Sequence, residues 1–419
     1  VSGRARGTIV AARGGLVEAE LPHAAVGAGV RIAGPPGLTG QIVALRGTRA
    51  TIAPWGTLDG VAAGTAVALD DGVLRAILGT SLLGRALGAD GVPLDAAPPP
   101  RGPRHACPGG APEVGERRPC DGICWTGVRA IDGPLPLGRG ARIGIIGPPG
   151  AGKSTLLESI VRGTDADAVV VALIGERGRE AERRLRIADA RTTIVCATAE
   201  RSAAERVRAA ELAFAQAGAL RARGLHVLLV LDSLARVGAA ARELALAAAE
   251  PAGRGGYPPS VFPRLAGLLE CAGAVAGGSV TLLATVLSEG ASGDDPLVEA
   301  LRAVLDGHLV LSEARARAGR FPAIDLLPSV SRTAAEVAGP QHLRAGRLLR
   351  AAVAALEESR EARALGLDVA AGDPFLARSL RAEPQIERFL CQGGSPTVPQ
   401  VTLRELGALA DTLDDGRLR

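Results

Sequence analysis

Between residues 142 and 311 the chain alternates short, nearly unbroken apolar runs with longer helical stretches. The apolar runs fall at 142–146, 168–174, 193–197, 226–231, 279–287 and 308–311. Such runs, without a period of two, predict strands covered on both faces, as in a parallel sheet. Helical stretches at 201–221, 233–248 and 261–272 lie between them, so the region predicts a doubly wound α/β layer. Residues before about 75 read differently. Short runs at 7–12, 16–21, 40–45 and 49–53, broken by Gly and Pro, predict a small β-barrel. A helical patch is predicted at 81–87, and the Pro-, Gly- and Arg-rich stretch 95–121 predicts an irregular loop. Beyond Pro340 the pattern predicts helices only, at 341–365, 373–380, 383–392 and 402–412. The expected division is a barrel at 1–75, an α/β domain at 76–340 and a helical domain at 341–419.

Composition narrows the function classes. The 419 residues are 47% hydrophobic, enough for about two or three cored domains. No apolar run is long enough for a membrane span. The opening VSGRARGTIV lacks the apolar centre of a signal peptide, which points to the cytoplasm. Net charge is +4 and spread along the chain, and aromatics are 2%, so no nucleic-acid surface is indicated. Cys107, Cys120 and Cys124 share one stretch with His105; their spacing matches no common zinc pattern, so they read as unpaired thiols, with a zinc site as the alternative. Lys and Arg total 48, yet Lys153 is the only lysine. In a chain where arginine serves everywhere else, that lysine marks a site needing a compact ammonium.

Lys153 lies in GPPGAGKS, residues 147–154, which fits the phosphate-loop pattern G-x-x-x-x-G-K-S. An apolar run precedes it and a helix at 153–162 is predicted to follow. The expected binding residues are Gly147, Pro148, Pro149, Gly150, Ala151, Gly152, Lys153, Ser154 and Thr155. Backbone N–H groups and the helix start would hold the phosphates of ATP. Lys153 would reach the β- and γ-phosphates, and Ser154 would place its hydroxyl on Mg2+. HVLLVLD, residues 226–232, ends a strand in Asp232, a carboxylate for the metal shell or a simple turn cap. ALIGERGRE, residues 172–180, ends another strand beside Glu176, placed to orient or deprotonate a water. A solvated charged turn is the alternative there. Arg332, in PSVSR, closes the α/β region, and in so arginine-rich a chain its pattern alone does not distinguish catalysis from structure.

The motifs VGERRP, TGVRAIDG, GPPGAGKST, LIGERGRE, LLVLDSLAR, EPAGRGGYPPSVF, DGHLVLS, FPAIDLLPSVSR and IERFL occur in this order. Together they resemble the ATPases of bacterial type III protein secretion and flagellar export, themselves similar to the catalytic β subunit of rotary ATP synthase. The likeness runs from the barrel to the C-terminal helices. It implies a RecA-like core between a β-barrel and a helical domain. By resemblance, Glu176 is the catalytic glutamate, with Arg177 and Glu180 at the γ-phosphate and metal shell. Asp232 is the Walker B acid, Arg236 lies near the phosphates, and Arg332 is an arginine finger inserted into a neighbour's site. Phe321 stands where the family usually has an adenine-stacking tyrosine; its ring keeps the stacking face.

The resemblance further implies a homo-oligomer, a ring of six, at the cytoplasmic face of the inner membrane. A central stalk, a regulator or stator protein, secretion chaperones and exported proteins are its expected partners. The loop EPAGRGGY, residues 250–257, would face the central channel. A flagellar ATPase, an ion-translocating rotary subunit, an RNA translocase and a non-catalytic paralogue are the other readings. Intact Lys153, Glu176 and Asp232 oppose the last. These ATPases use a leading helical segment at the membrane, whereas this sequence starts close to the predicted barrel; truncation and biology are both readings of that start.

Overall fold

The computed structural model describes residues 6–34, 37–73, 75–107, 109–185, 189–287, 296–369 and 372–414. Strands β1 (Arg6–Arg13), β2 (Leu16–Glu20), β3 (Ala28–Ile32), β4 (Leu38–Arg46), β5 (Arg49–Trp55) and β6 (Ala66–Val73) close an antiparallel barrel in the order β1-β2-β5-β4-β3-β6. Alternate positions point inward, and Ile9, Val17, Ala19, Leu21, Val30, Ile32, Ile42, Ile52 and Val67 fill it.

The central sheet is built from β7 (Arg142–Gly147), β8 (Ala168–Ile174), β9 (Thr192–Ala197), β10 (His226–Asp232), β11 (Gly278–Leu287), β12 (Gly307–Leu311) and β13 (Ile324–Ser331). Their order is β13-β12-β7-β11-β10-β8-β9, parallel except for β13, which runs antiparallel at the edge. Pro328 lies in β13 and lacks a ladder donor, which an edge strand tolerates. Between the strands lie α1 (Lys153–Gly163), α2 (Gly178–Leu185), α3 (Ala203–Arg221), α4 (Leu234–Ala247), α5 (Val261–Leu269) and α6 (Pro296–Val304). Helix α3 starts with a capping box, in which Ser202 and Glu205 satisfy each other's backbone N–H. Most of its residues are buried, the polar Arg208 and Gln216 included, because it packs against β8, β9 and β10 and under α4.

Three sequence expectations change. The helical patch at 81–87 is a single turn at Thr80–Leu82 followed by a two-residue strand, Ala86–Leu87, paired parallel to β9. Gly84 adopts φ +74, which stops the turn, and the Asp95 carboxylate binds Ala86 N–H and the Arg85 guanidinium in place of a helix bond. The two helices predicted at 373–380 and 383–392 are one, α8 (Pro374–Leu390), running through Pro384. Losing one backbone bond there is outweighed by burying Leu376, Ala382, Ile386, Phe389 and Leu390. The long helix predicted at 341–365 breaks at Ser359 into α7 (Pro340–Glu358) and a short turn, Arg360–Ala364. Helix α9 (Pro399–Leu413) completes the bundle.

The bundle is fastened to the sheet through TGVRAIDG. Asp132 is buried and accepts from Thr126 N–H and hydroxyl and from Gly127 N–H. Burial pushes its carboxyl up to about 7 in spite of these bonds. Arg129 reaches across to the C-terminal end of α8 and donates to the carbonyls of Arg388, Phe389 and Cys391. A guanidinium on the free carbonyls of a helix end satisfies both charge and hydrogen bonding.

Candidate nucleotide site

The phosphate loop leaves the C-terminal end of β7, in mid-sheet, where open α/β sheets bind ligands. Gly152 caps α1 with φ +85, and a side chain there would also press on the Phe321 ring, 3.3 Å from its Cβ position. Gly147 and Ala151 are buried and Pro148, Gly152 and Lys153 are half-buried, whereas Pro149, Gly150, Ser154 and Thr155 are exposed. The Lys153 ammonium donates to Gly147 O at 2.5 Å and Pro148 O at 2.6 Å. Burial pulls it down to about 8, with the Asp232 charge opposing.

Two neighbouring strand ends deliver the acids. Asp232 ends β10 and is 5% exposed; its Oδ1 accepts from the Thr285 hydroxyl of β11 at 2.6 Å. Its Oδ2 is buried and lies 2.8 Å from Arg184 Nη2 of α2, close enough for an ion pair but without hydrogen-bond alignment. Glu176 follows β8 and is also buried; its Oε1 is 2.9 Å from Arg236 Nη1 of α4. Arg236 additionally donates to Gly175 O. Burial raises the Glu176 carboxyl to about 7, helped by a hydrogen bond with Glu180 and by the Asp232 charge, and opposed by Arg236. Arg177 and Glu180 stand exposed at the start of α2.

The donor set suits a hard divalent cation. The Ser154 hydroxyl and the Asp232 and Glu180 carboxylates are all oxygen donors, and Asp232 keeps one buried oxygen without a hydrogen bond. The Arg184 contact must lengthen or be shared when such an ion binds.

A cavity of about 210 Å³ opens beside the loop, lined by Gly152, Thr155, Leu156, Phe321, Pro322 and Gln392 among others. Its floor belongs to the helical bundle. Gln392 N–H donates to Phe321 O at 2.8 Å, its amide donates to Gly127 O at 2.8 Å, and its Oε1 accepts from Arg129 N–H at 2.9 Å. Phe321 is 41% exposed, with its ring free to meet a flat partner. Base–aromatic stacking contributes about 1–3 kcal/mol. Phe321→Ala is therefore expected to raise the ATP KM by roughly 5- to 150-fold with kcat largely kept; titration of steady-state hydrolysis against ATP checks it.

Arg332 is not brought to this site. It follows the end of β13, where Ser331 pairs with Gly307 at the start of β12. The loop lies beyond the other end of β12, level with Leu311, four strand residues away. At about 3.3 Å per residue that is more than ~13 Å along the sheet. The exposed Arg332 side chain bonds only weakly to Leu305 O, at 3.4 Å.

Three site residues were not expected. Thr285 is one of three buried hydroxyls on β11, with Ser279 and Thr281, so nothing in the sequence singled it out. Arg184 sat inside a charged run that reads as solvated. Its spacing of three from the buried Ala181 places both on one helix face. Gln392 has no sequence signal, because its role depends on how the bundle docks.

The sequence matches the model of the ATP synthase alpha/beta family, nucleotide-binding domain, over residues 127–331. The chain is 39% identical to the type 3 secretion system ATPase of Pseudomonas syringae pv. tomato, covering 99% of this chain and 94% of that protein. It is 40% identical to the flagellum-specific ATP synthase of Treponema pallidum, with coverage of 94% and 90%. Among solved structures, the assembled ATPase EscN of the enteropathogenic Escherichia coli type III secretion system superposes with a TM-score of 0.91 at 34% identity, over 96% of this chain and all of that one. EscN in complex with its central stalk EscO superposes with a TM-score of 0.89. With the phosphate loop, two strand-end acids and a likeness that spans the full chain, this protein is an ATPase belonging to the type III secretion and flagellar ATPases of the ATP synthase alpha/beta family.

Proposed function

We propose that this chain hydrolyses Mg2+-ATP as one subunit of a homohexameric ring and so energises protein export by a type III apparatus. The observation that carries the reading is that Lys153, Glu176 and Asp232 follow the C-terminal ends of three strands of one parallel sheet, where the Asp232 charge acts on both of the others, in a chain similar over its whole length to secretion ATPases. In this reading residues 76–340 carry the nucleotide chemistry, 1–75 form the barrel and 341–419 complete the base pocket.

Each residue has a derived task. Lys153 exchanges the carbonyls of Gly147 and Pro148 for β- and γ-phosphate oxygens, while the N–H groups of the loop and of the first turn of α1 hold the remainder. Ser154, Asp232 and Glu180 would hold Mg2+, whose chemistry is to neutralise charge on the β- and γ-phosphates. Glu176 accepts the proton of the attacking water, and Arg236 fixes which way that carboxylate points. Arg177 lies at the γ-phosphate. Phe321 stacks on adenine. Arg332 serves the site of the adjacent subunit, because the length of β12 separates it from its own.

The ring would sit at the cytoplasmic face of the inner membrane through partners; no helix among the described residues is long and apolar enough to cross a membrane. EscN is described with a central stalk, EscO, and a stalk, a regulator or stator, chaperones and exported proteins are the partners proposed here. The loop between α4 and α5 is the proposed stalk contact. Its Arg254 is exposed and paired with Glu299 at 2.9 Å, whereas Tyr257 is braced by Phe262 and by the Arg242 guanidinium.

The test is complementation. In a strain lacking its own export ATPase the chain is expected to restore secretion, Lys153→Ala to restore none, and Arg254→Ala to keep ATP hydrolysis while secretion falls. Secretion restored by Lys153→Ala would remove ATP hydrolysis from the proposal; equal loss of both activities in Arg254→Ala would remove the stalk contact.

A further inference from the structure

The end of the sheet opposite the nucleotide holds a second constellation. Cys124 lies on a two-residue strand, Ile123–Cys124, paired with Leu137–Gly138. Asp165 lies in the turn that leads into β8, and His226 opens β10. Residues 124, 165 and 226 come from three separate segments, yet their sulfur, carboxylate oxygen and ring nitrogen all lie within 4.8 Å of one another. The grouping weighed from the sequence, Cys107, Cys120 and Cys124 with His105, does not form this cluster. Cys107 is buried with its carbonyl against Arg208, and His105 is exposed on the strand Arg104–Ala106.

His226 is the decisive residue. It is 6% exposed, its Nδ1 is 2.7 Å from Ser279 Oγ, and its Nε2 is buried with no hydrogen-bond partner. A buried ring nitrogen without a partner is left with its desolvation uncompensated. An imidazole held through one nitrogen with the other left open is the arrangement of a metal ligand. The surrounding frame is rigid. Asp167 accepts from His226 N–H at 2.8 Å and donates its own N–H back to His226 O at 2.9 Å. Asp165 accepts from Trp125 N–H at 3.0 Å and Arg139 Nη2 at 2.9 Å, which aims its carboxylate without using all its lone pairs. Cys124 is 1% exposed, so it is screened from oxidants and from most thiol reagents.

We propose that Cys124, Asp165 and His226 form a zinc-binding site that pins the segment before TGVRAIDG to the base of the sheet. A thiolate and an imidazole select a borderline-soft ion, and with one carboxylate they make a three-ligand set that leaves a fourth position open. Thiolate and carboxylate together offset the 2+ charge, and the thiol proton leaves to solvent as sulfur takes the metal. Access is provided by an open cavity of about 550 Å³ lined by His226, Ser279, Cys120, Asp121, Asp167 and Arg139. His226 and Asp232 stand at opposite ends of β10, about 20 Å apart at ~3.3 Å per residue, so the zinc is separate from the hydrolytic site.

The experiment is cobalt substitution in the full chain, stripped with chelator and held in excess Mg2+-ATP. Cobalt alone is expected to give sulfur-to-cobalt charge-transfer absorption at one ion per chain, bleached by added zinc. Cys124→Ser should abolish the band, and His226→Gln should weaken cobalt affinity by about tenfold or more. Since both positions are buried, Asp165→Asn provides an exposed variant expected to fold. It should also weaken binding while ATP hydrolysis in Mg2+ is unchanged. A parent protein without the band, a band that survives Cys124→Ser, or an unchanged affinity in Asp165→Asn overturns the three-ligand site. A histidine that merely packs against Ser279 produces none of the expected spectra.

Discussion

Glu176→Gln should lower ATP hydrolysis by about 10²–10⁴-fold, the usual contribution of a positioned general base, while nucleotide binding persists. Gln keeps the size of the side chain and its reach toward Arg236 but cannot take a proton. The parent carboxyl is raised to about 7 by burial and by its acidic neighbours, and only its ionised form serves as base. The kcat/KM of the parent is therefore expected to climb as pH rises through about 7. Residual activity in the variant should lack that limb. Retention of more than about a tenth of the parent rate would assign water activation to another group. Binding measured with a fluorescent nucleotide separates lost chemistry from a collapsed site.

Arg332→Ala should cost as much or more, about 10³–10⁵-fold, the range for removal of an arginine finger. The sharper test mixes the two damaged proteins. An Arg332→Ala subunit keeps its own Glu176, and a Glu176→Gln subunit keeps its own Arg332. Where the second faces the first, the interface holds one complete site, so activity should return on mixing. If Arg332 acted within its own chain, no complete site would exist in the mixture and both proteins would remain inactive together. The register of β12 and β13 favours the shared site, because it puts Ser331 level with Gly307 and away from the loop.

What was readable beforehand depended on how local each feature is. The parallel strands were legible because both faces are buried and the apolar runs are continuous; β8 and β10 are buried at every position. The phosphate loop was legible because its requirements are met by eight adjacent residues. Helix ends were less so. Pro384 reads as a break in isolation, yet packing of Ile386 and Phe389 carries α8 past it. Pairings across the chain left no trace at all. Nothing around Arg129 announces the carbonyls of Arg388 and Cys391, and nothing around Gln392 announces Phe321. Arg184 was hidden for the opposite reason. A run of charges suggests solvent, whereas one of them turns inward to Asp232.

Lys153 bears the only side-chain amine in the chain, and it is held partly out of water. An amine with its basicity reduced to about 8 is a better nucleophile near neutral pH than an ordinary surface lysine. Apart from the α-amine, an amine-directed acylating reagent thus meets one lysine, in the phosphate loop, with no background from surface lysines. Modification at that position becomes a direct count of loops accessible to solvent. Subunit by subunit, mass addition would then report how many sites of an assembly are closed over nucleotide at a given moment.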